Sequence, residues 1–132
     1  MTTKKIGNFG ERIAEKYLKN KGYKILDKNY SLRIPGNPQK GEIDIVAKKE
    51  DIISFVEVKT LIKRGGEQLS AISPEEKVNF SKQRKLRKVA ESWLMKKKIP
   101  LNSKWQIDVI AIKINSIKKV EINHFKNAVS HS

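Results

Sequence analysis

Apolar residues recur along the chain with two different periods, and the changes of period predict its helices and strands. Residues 7–21 carry apolar side chains at three- and four-residue steps, the spacing of an amphipathic helix. Alternation typical of strands follows in residues 23–29, 41–48 and 52–60. A turn near Glu50-Asp51 separates the last two segments, so we expect them to form a hairpin.

A second helix is predicted to begin at Ser73-Pro74-Glu75-Glu76. This segment combines a capping Ser, a Pro in the first turn and a Glu three residues after the cap. The helix is expected to run to about residue 97, because Pro100 prevents its continuation. Two further strands are predicted in residues 104–114 and 117–125.

The order of helix, three strands, helix and two strands predicts a single α/β domain over residues 1–132. Helices are expected to cover a mixed sheet of about five strands, which gives a three-layer arrangement. Gly10 and Ala14 share one face of the first helix, and small residues there let a helix approach a sheet closely. Within the sequence no repeat, linker or low-complexity tract indicates a second domain.

The chain is strongly basic, with 29 Lys and Arg against 14 Asp and Glu and a formal net charge of +15. Such an excess favours polyanionic partners, so we expect a nucleic acid. The alternative explanation is a surface on which lysine is simply the common solvated residue.

Cysteine is absent, which excludes a disulfide framework, a thiolate zinc site and a cysteine nucleophile. A chain without cysteine also fits a reducing, cytoplasmic location. No secretory signal is recognisable, and no apolar run approaches the roughly 20 residues of a membrane-spanning helix, so no membrane partner is expected.

Charged residues interrupt both strands of the predicted hairpin. Alternation places a polar set on one face and Ile43, Ile45 and Ala47 on the other. The polar-face residues are Glu42, Asp44 and Val46 in the first strand and Phe55, Glu57 and Lys59 in the second. A two-residue turn would set Asp44 opposite Glu57, whereas a four-residue loop would make them diagonal neighbours. Either register brings two carboxylates within about 5–7 Å.

Two carboxylates this close repel each other unless a cation lies between them or one is protonated. Asp44, Glu57 and the backbone carbonyl of Val58 are the expected ligands of Mg²⁺, which prefers oxygen, with Mn²⁺ as a substitute. Lys59 points to the same place, where it can position the attacking water and stabilise charge on a phosphate. The alternative is a solvated strand face with a Glu42–Lys59 ion pair, worth under about 1 kcal/mol.

Five blocks of the chain, in order, resemble a known family. The segments 41–47 (GEIDIVA) and 55–59 (FVEVK) resemble the paired signature of the YraN-like predicted endonucleases, relatives of archaeal Holliday-junction resolvases in the PD-(D/E)-x-K nuclease superfamily. Blocks in the first helix, the second helix and the closing strands extend the resemblance over nearly the whole chain; they include residues 10–14, 74–78, 107–111 and 124–128.

The resemblance implies a restriction-endonuclease-like core that hydrolyses phosphodiester bonds of DNA with Mg²⁺. The resemblance favours DNA over RNA and includes branched recombination or repair intermediates among the candidate substrates, while the sequence leaves single-stranded DNA, duplex DNA and RNA open. Asp44, Glu57 and Lys59 match the catalytic positions, and Glu11 matches an acid that helps to hold metal in related resolvases. From the helix alone, Glu11 is equally well explained as an acid favoured by the helix dipole.

The main alternative function is a module of the same fold that binds DNA or RNA without cutting it. A resolvase cuts two strands symmetrically and is expected to be a twofold homodimer. The sequence itself carries no signal for a dimer.

Basic residues in and before the second helix are the candidate phosphate contacts. The segment from Lys77 to Lys88 has six basic residues and no acid, which favours a backbone-tracking surface over a merely solvated helix face. Lys82 lies instead in the apolar stripe, where it either lines the active-site end of the sheet or extends past the core. The predicted nucleic-acid contacts are Lys63, Arg64, Lys82, Arg84, Lys85, Arg87 and Lys88.

A further acid, Asp108, interrupts the apolar strand predicted in residues 104–114. We expect it to be a structural partner of a buried Lys or Arg. His124 is also expected to be structural.

Overall fold

Helices and strands follow one another in the order that the hydrophobic periods predict. The computed structural model describes residues 3–32, 41–62, 80–115 and 119–128. The elements are α1 (Thr3–Asn20), β1 (Lys24–Leu32), β2 (Gly41–Lys49), β3 (Ile52–Ile62), α2 (Phe80–Lys96), β4 (Trp105–Ile114) and β5 (Val120–Phe125). The predicted start of the second helix at Ser73 lies outside the described residues.

The five strands form one mixed sheet in the order β1-β2-β3-β4-β5. Neighbouring strands are antiparallel except β3 and β4, which are parallel from Ile53↔Trp105 to Ile62↔Ile114. A parallel pair needs a crossover, and α2 lies in the connection between these two strands. The prediction of a mixed, five-stranded α/β domain is confirmed.

Both helices end in the same hydrogen-bonded motif, which explains where they stop. At the end of α1, Gly22 has φ +94°, Tyr23 N–H donates to Leu18 C=O at 2.9 Å, and Gly22 N–H donates to Lys19 C=O. At the end of α2, Lys98 takes the left-handed position with φ 58°, and Ile99 N–H donates to Leu94 C=O.

The two helices lie on opposite faces of the sheet, and each face has its own core. On one face, α1 packs Ala14 and Leu18 against strand residues that include Ile45, Val56 and Ile110. The other core contains the buried stripe of α2 together with Ile43, Val46, Phe55, Ile107 and Val109. The described residues of that stripe are Leu86, Val89, Ala90, Trp93 and Leu94.

The central hairpin is paired only near its turn. The register runs from Lys49↔Ile52 to Ile45↔Val56, so the two-residue turn at Glu50-Asp51 is the one formed. Beyond this point β2 continues along β1 as far as Leu32↔Gly41, while β3 continues along β4. The sheet therefore opens into a fork between β2 and β3. The fork begins just beyond the Ile45–Val56 pair on the side away from the turn, and it separates the residues before Ile45 from those after Val56.

The fork overturns one detail of the predicted alternation. Ile43 packs in the α2-side core with Val46, although Ile45 and Ala47 pack on the α1 side. Strict alternation requires a regularly paired strand, and β2 loses its β3 partner at Asp44. In β3, Phe55 and Val56 face opposite sides as predicted.

Candidate active site

Asp44 lies at the point where the sheet forks. In the antiparallel register, Val58 is the next β3 residue whose N–H would continue the ladder to β2. That N–H donates instead to Asp44 Oδ2 at 2.7 Å. Because the N–H and C=O of a strand residue point to the same neighbour, the Val58 carbonyl also points into the fork. The Asp44 side chain thus replaces a backbone partner at the opening.

Helix α1 brings a second carboxylate to the fork. Glu11 is half-buried, and its carboxyl group is close enough to Asp44 for each to alter the other's pKa. The neighbouring Gly10 is buried against Thr60 of β3, and a Cβ at Gly10 would overlap Thr60 Oγ1. The missing side chain at Gly10 lets α1 lie close enough to the sheet for Glu11 to reach Asp44. The predicted close approach of this helix face is confirmed.

The carboxylates around Asp44 make its ionisation unfavourable. Burial raises the pKa of Asp44 to about 7, with further increases from the charges of Glu11, Glu57 and Glu42, while the Val58 N–H bond opposes the shift. Burial raises the pKa of Glu11 as well, and the charge of Glu42 raises it further. Two carboxylates this close repel each other unless a cation lies between them or one of them is protonated.

Glu57 and Lys59 reach the fork from β3. Glu57 is buried, with 8% of its surface exposed, and its Oε1 forms an ion pair with Lys59 Nζ at a distance of 3.1 Å. The Lys59 side chain remains 30% exposed, so its ammonium can meet a ligand that enters from solvent. Of the four predicted catalytic residues, Glu57 is thus in contact with Lys59, and the charges of Glu11 and Glu57 both act on Asp44.

The donor set at the fork fits a hard divalent cation. Asp44 is half-buried, and the charges of three nearby carboxylates add to the effect of desolvation on its pKa. Carboxylate and carbonyl oxygens are the ligands that Mg²⁺ uses, and a cation between the carboxylates would relieve their repulsion. Within the described ranges, no three or more His, Cys, Asp or Glu residues form a ready-made ligand group. Ligands would have to move together around the ion.

A pocket of about 220 Å³ opens beside Asp44 on the α1 side of the fork. Besides Glu11 and Asp44, its lining residues are Asn8, Arg12, Glu15, Lys28, Asn29 and Ile45. Lys28 is already held by Glu15, with Nζ 3.3 Å from Oε2. Sequence reasoning missed Lys28 and Asn29 at this site, because only tertiary structure brings β1 next to the fork.

The predicted phosphate contacts are only partly within the described residues. Arg84 and Lys88 are exposed on α2, and Lys85 and Arg87 are half-buried. Lys63 and Arg64 lie outside the described residues, as does the side chain of Lys82. Whether Lys82 lines the site therefore stays a prediction.

Asp108 is the centre of a separate, fully satisfied network. It is 0% exposed, and its Oδ1 accepts from Gln106 Nε2 and Asn127 N–H, each at 2.9 Å. Its Oδ2 lies 2.8 Å from His124 Nε2, and His124 Nδ1 lies 3.2 Å from the Tyr17 hydroxyl. The structural role expected for Asp108 and His124 is confirmed. The expected Lys or Arg partner is wrong, because among the described residues Asp108 contacts an imidazole, an amide and a backbone N–H.

Fork and helices together define an α/β domain in which acidic residues and a lysine lie near the point where a mixed sheet opens. The sequence profile of the uncharacterised protein family UPF0102 matches residues 10–112, and the chain belongs to this family. It is 44% identical over 126 residues to the UPF0102 protein of Alkaliphilus oremlandii (strain OhILAs), which covers 95% of this chain and 97% of that protein. The UPF0102 protein of Clostridium tetani (strain Massachusetts / E88) is 47% identical over 113 residues, or 86% and 83% of the two chains. The YraN-like family resemblance is thereby confirmed.

Neither helix of the described part combines the length and the apolar character needed to cross a membrane.

Proposed function

We propose that the chain is a Mg²⁺-dependent nuclease that hydrolyses phosphodiester bonds of DNA, with branched recombination or repair intermediates as its preferred substrates. One observation carries the proposal: Asp44 lies half-buried at a fork in the sheet, where desolvation, followed by the charges of Glu11, Glu57 and Glu42, raises its pKa to about 7. A purely structural acid is normally surrounded by donors. An acid surrounded by other acids indicates a site that binds a cation or holds a proton.

The residues at the fork divide the work of phosphodiester hydrolysis among them. Asp44, Glu57 and the Val58 carbonyl would hold Mg²⁺, with Glu11 supporting Asp44 from α1. When bound, the ion supplies Lewis-acid activation of water and neutralises charge at the phosphate. Lys59 orients the attacking water and donates to the charge that develops on the phosphate oxygens. Its exposed ammonium and its contact with Glu57 support both roles.

The forked sheet between two helices supports a restriction-endonuclease-like core as part of this proposal. The excess of basic residues supports a polyanionic substrate, which long-range attraction would bring to the acidic fork. The absence of cysteine is consistent with action in the reducing cytoplasm. A twofold dimer would allow symmetric cleavage of two strands.

The test is a cleavage assay on a four-way junction, a flap, single-stranded DNA and plain duplex DNA. Each substrate is incubated with Mg²⁺, with Mn²⁺ and with a chelator, using the wild type and Asp44→Asn. The matched control is Asp51→Asn, which removes an exposed carboxylate at the distant hairpin turn. We expect metal-dependent cutting by the wild type and by Asp51→Asn, and none by Asp44→Asn.

The alternative, a binding module that does not cut, has one observation in its favour. The Glu57–Lys59 ion pair already compensates one of the carboxylates that a metal would need. Salt-sensitive DNA binding by the wild type and Asp44→Asn, with no cutting by the wild type under any metal condition, would overturn the nuclease proposal in favour of this alternative.

A further inference from the structure

A second pocket, of about 310 Å³, opens at the other end of the sheet. We name it the hairpin-end pocket; its lining residues are Tyr23, Lys49, Glu50, Ile52, Ser54, Gln106 and Lys126. Ser54 precedes Glu57 by three residues in β3, a separation of about 10 Å along an extended strand. None of the fork residues Glu11, Asp44, Glu57 and Lys59 lines this pocket, so it is distinct from the candidate active site.

The strand residues of the pocket present polar groups that the fold has already oriented. Ser54 and Gln106 are register partners on β3 and β4, and Ser54 is 1% exposed. The Gln106 amide is held by its bond to Asp108 Oδ1, and Asp108 is held in turn by His124. A buried hydroxyl and a fixed amide can bind a ligand without being ordered first, which lowers the entropic cost of binding.

Two lysines supply positive charge to the same pocket. Lys49 Nζ lies 5.5 Å from the centre of the Tyr23 ring, and Lys126 is exposed. Among the described residues, neither lysine is in an ion pair with a carboxylate, although Glu50 also lines the pocket. Two ammonium groups beside a buried hydroxyl favour an anion with several acceptor oxygens.

The surroundings of the pocket strengthen this preference for an anion. The ends of strands and helices on this side of the sheet carry many more basic than acidic residues. The described lysines here are Lys21, Lys24, Lys48, Lys49, Lys104 and Lys126, and the acids are Glu50 and Asp51. Asp51 is already paired with Lys104 at 3.1 Å, so it offsets little of the remaining charge. The positive potential should raise the local concentration of anionic ligands.

We propose that the hairpin-end pocket binds the phosphate group of a nucleotide, either a free mononucleotide or a unit of a nucleic-acid strand. Lys49 and Lys126 contact the phosphate oxygens, and the Ser54 hydroxyl donates to one of them. A volume of about 310 Å³ is within the usual range of small-molecule sites, so it leaves room for the attached sugar. This binding is independent of phosphodiester cleavage and survives the loss of Asp44.

The experiment compares two double variants of the full chain that lose the same charge. Lys49→Gln/Lys126→Gln removes both pocket lysines. Lys24→Gln/Lys48→Gln removes two exposed lysines that are register partners at the same end of the sheet but do not line the pocket. Calorimetric titrations use adenosine monophosphate, adenosine and a short single-stranded oligonucleotide as probes, and thermal unfolding verifies that every variant is folded.

For a free mononucleotide, we expect the wild type to bind adenosine monophosphate but not adenosine. Lys49→Gln/Lys126→Gln should raise the Kd for adenosine monophosphate by about tenfold or more, because charged hydrogen bonds are lost. The Lys24/Lys48 control should leave the Kd within about twofold, since only long-range attraction changes. Ser54→Ala should weaken the same binding by a few-fold without altering the fold.

If the pocket instead binds a phosphate within a strand, we expect no measurable binding of adenosine monophosphate to the wild type. Lys49→Gln/Lys126→Gln should then weaken oligonucleotide binding by about tenfold more than Lys24→Gln/Lys48→Gln does. Either pattern supports the proposal and identifies the source of the phosphate. Equal losses in the two double variants would mean that only overall charge matters, and the proposal would be wrong. Absence of binding by all three probes to the wild type would overturn it as well. Whether the pocket variants still cleave DNA tests only the proposed nuclease site at the fork and has no bearing on the hairpin-end pocket.

Discussion

Asp44 and Asp108 have nearly the same local sequence, yet the fold gives them opposite environments. One lies in Ile43-Asp44-Ile45-Val46-Ala47, the other in Ile107-Asp108-Val109-Ile110-Ala111. Asp108 is fully buried and bound by Gln106, His124 and the Asn127 N–H. Asp44 accepts the Val58 N–H but otherwise faces carboxylates, whose charges raise its pKa further.

Asp108 is fully buried and Asp44 is half-buried, and the comparison shows that the partners of each acid, more than its burial alone, indicate its role. Donors around Asp108 compensate its charge and tie β4 to the segment after β5, which is a structural task. Acids around Asp44 leave its charge uncompensated, which suits a ligand that brings positive charge. Helix α1 contacts both regions, through Glu11 at the fork and through Tyr17 at His124.

The largest expected effect is the loss of stability in Asp108→Ala. The substitution leaves the Gln106 amide, the Asn127 N–H and His124 without their shared acceptor inside the fold. We expect the free energy of unfolding to fall by about 3–4 kcal/mol, measured by urea denaturation with a chelator present. Asp108→Asn, which keeps one acceptor oxygen, should lose less. A loss below about 1 kcal/mol in Asp108→Ala would contradict the structural role of the network.

The second effect concerns catalysis at the fork and not folding. Lys59→Met removes the ammonium that contacts Glu57 but keeps a long, flexible side chain. If the fork is a nuclease site, metal-dependent cleavage should fall by about a hundredfold, a rise of about 2.7 kcal/mol in the barrier. Lys24→Met, which alters an exposed lysine at the far end of β1, is the control for the lost charge. Equal activity of the two variants would remove Lys59 from the mechanism.

The third effect has a sign opposite to that of Asp108→Ala. The pKa of Asp44 rises from 3.8 to about 7 on folding, so the folded protein holds its proton more tightly than the unfolded chain. The wild type therefore loses stability as the pH rises from about 4 to about 7, and the loss is complete above that window. Asp44→Asn abolishes this loss and retains an oxygen that can accept the Val58 N–H.

The full pKa difference corresponds to about 4 kcal/mol, and the neutral amide accepts the Val58 N–H less strongly than a carboxylate does. Without metal, Asp44→Asn should thus be more stable than the wild type by about 2 kcal/mol at pH near 8, and nearly equal to it at pH near 4. Urea denaturation at the two pH values measures this difference. Added Mg²⁺ should stabilise the wild type and leave the variant unchanged, because only a folded site binds the ion. A difference that is the same at both pH values would show that Asp44 is not held under charge repulsion.

The fold and the members of the site were largely predictable from the sequence, whereas the way the site is assembled was not. Period-two and period-3.6 patterns predict elements that the structure confirms, with bounds displaced by a few residues; α1, for example, begins at Thr3 instead of residue 7. The sequence left two registers open for the hairpin, and the structure forms the one with the two-residue turn.

The fork could not be predicted, because it depends on β2 and β3 each following a different outer strand. For the same reason the sequence placed Ile43 on the wrong face. The His124 partner of Asp108 was equally inaccessible, since Tyr17, Asp108 and His124 are far apart in sequence and only the packing of α1 across β4 and β5 joins them.

The smallest expected effect comes from substituting two glycines of α1. The comparison distinguishes how closely α1 packs on the sheet from how stable α1 is as a helix. Gly7 and Gly10 both lie in α1, and alanine is favoured over glycine in a helix by about 1 kcal/mol. A Cβ at Gly7 meets nothing within 4 Å, so Gly7→Ala should stabilise the protein by about 0.5–1 kcal/mol. A Cβ at Gly10 would overlap Thr60 Oγ1 and lie 3.1 Å from Thr60 Cβ.

Gly10→Ala should therefore destabilise the protein by about 1 kcal/mol despite the better helix propensity, because α1 must move away from β3. Such a movement would carry Glu11 away from Asp44, so the Mg²⁺-dependent stabilisation should weaken more than the stability itself. Adding Thr60→Ala to Gly10→Ala removes the overlapping hydroxyl and should restore both quantities, which a double-mutant cycle in urea measures. If Gly10→Ala behaves like Gly7→Ala in metal binding and in stability, then the close approach of α1 to β3 is not what holds Glu11 at the fork.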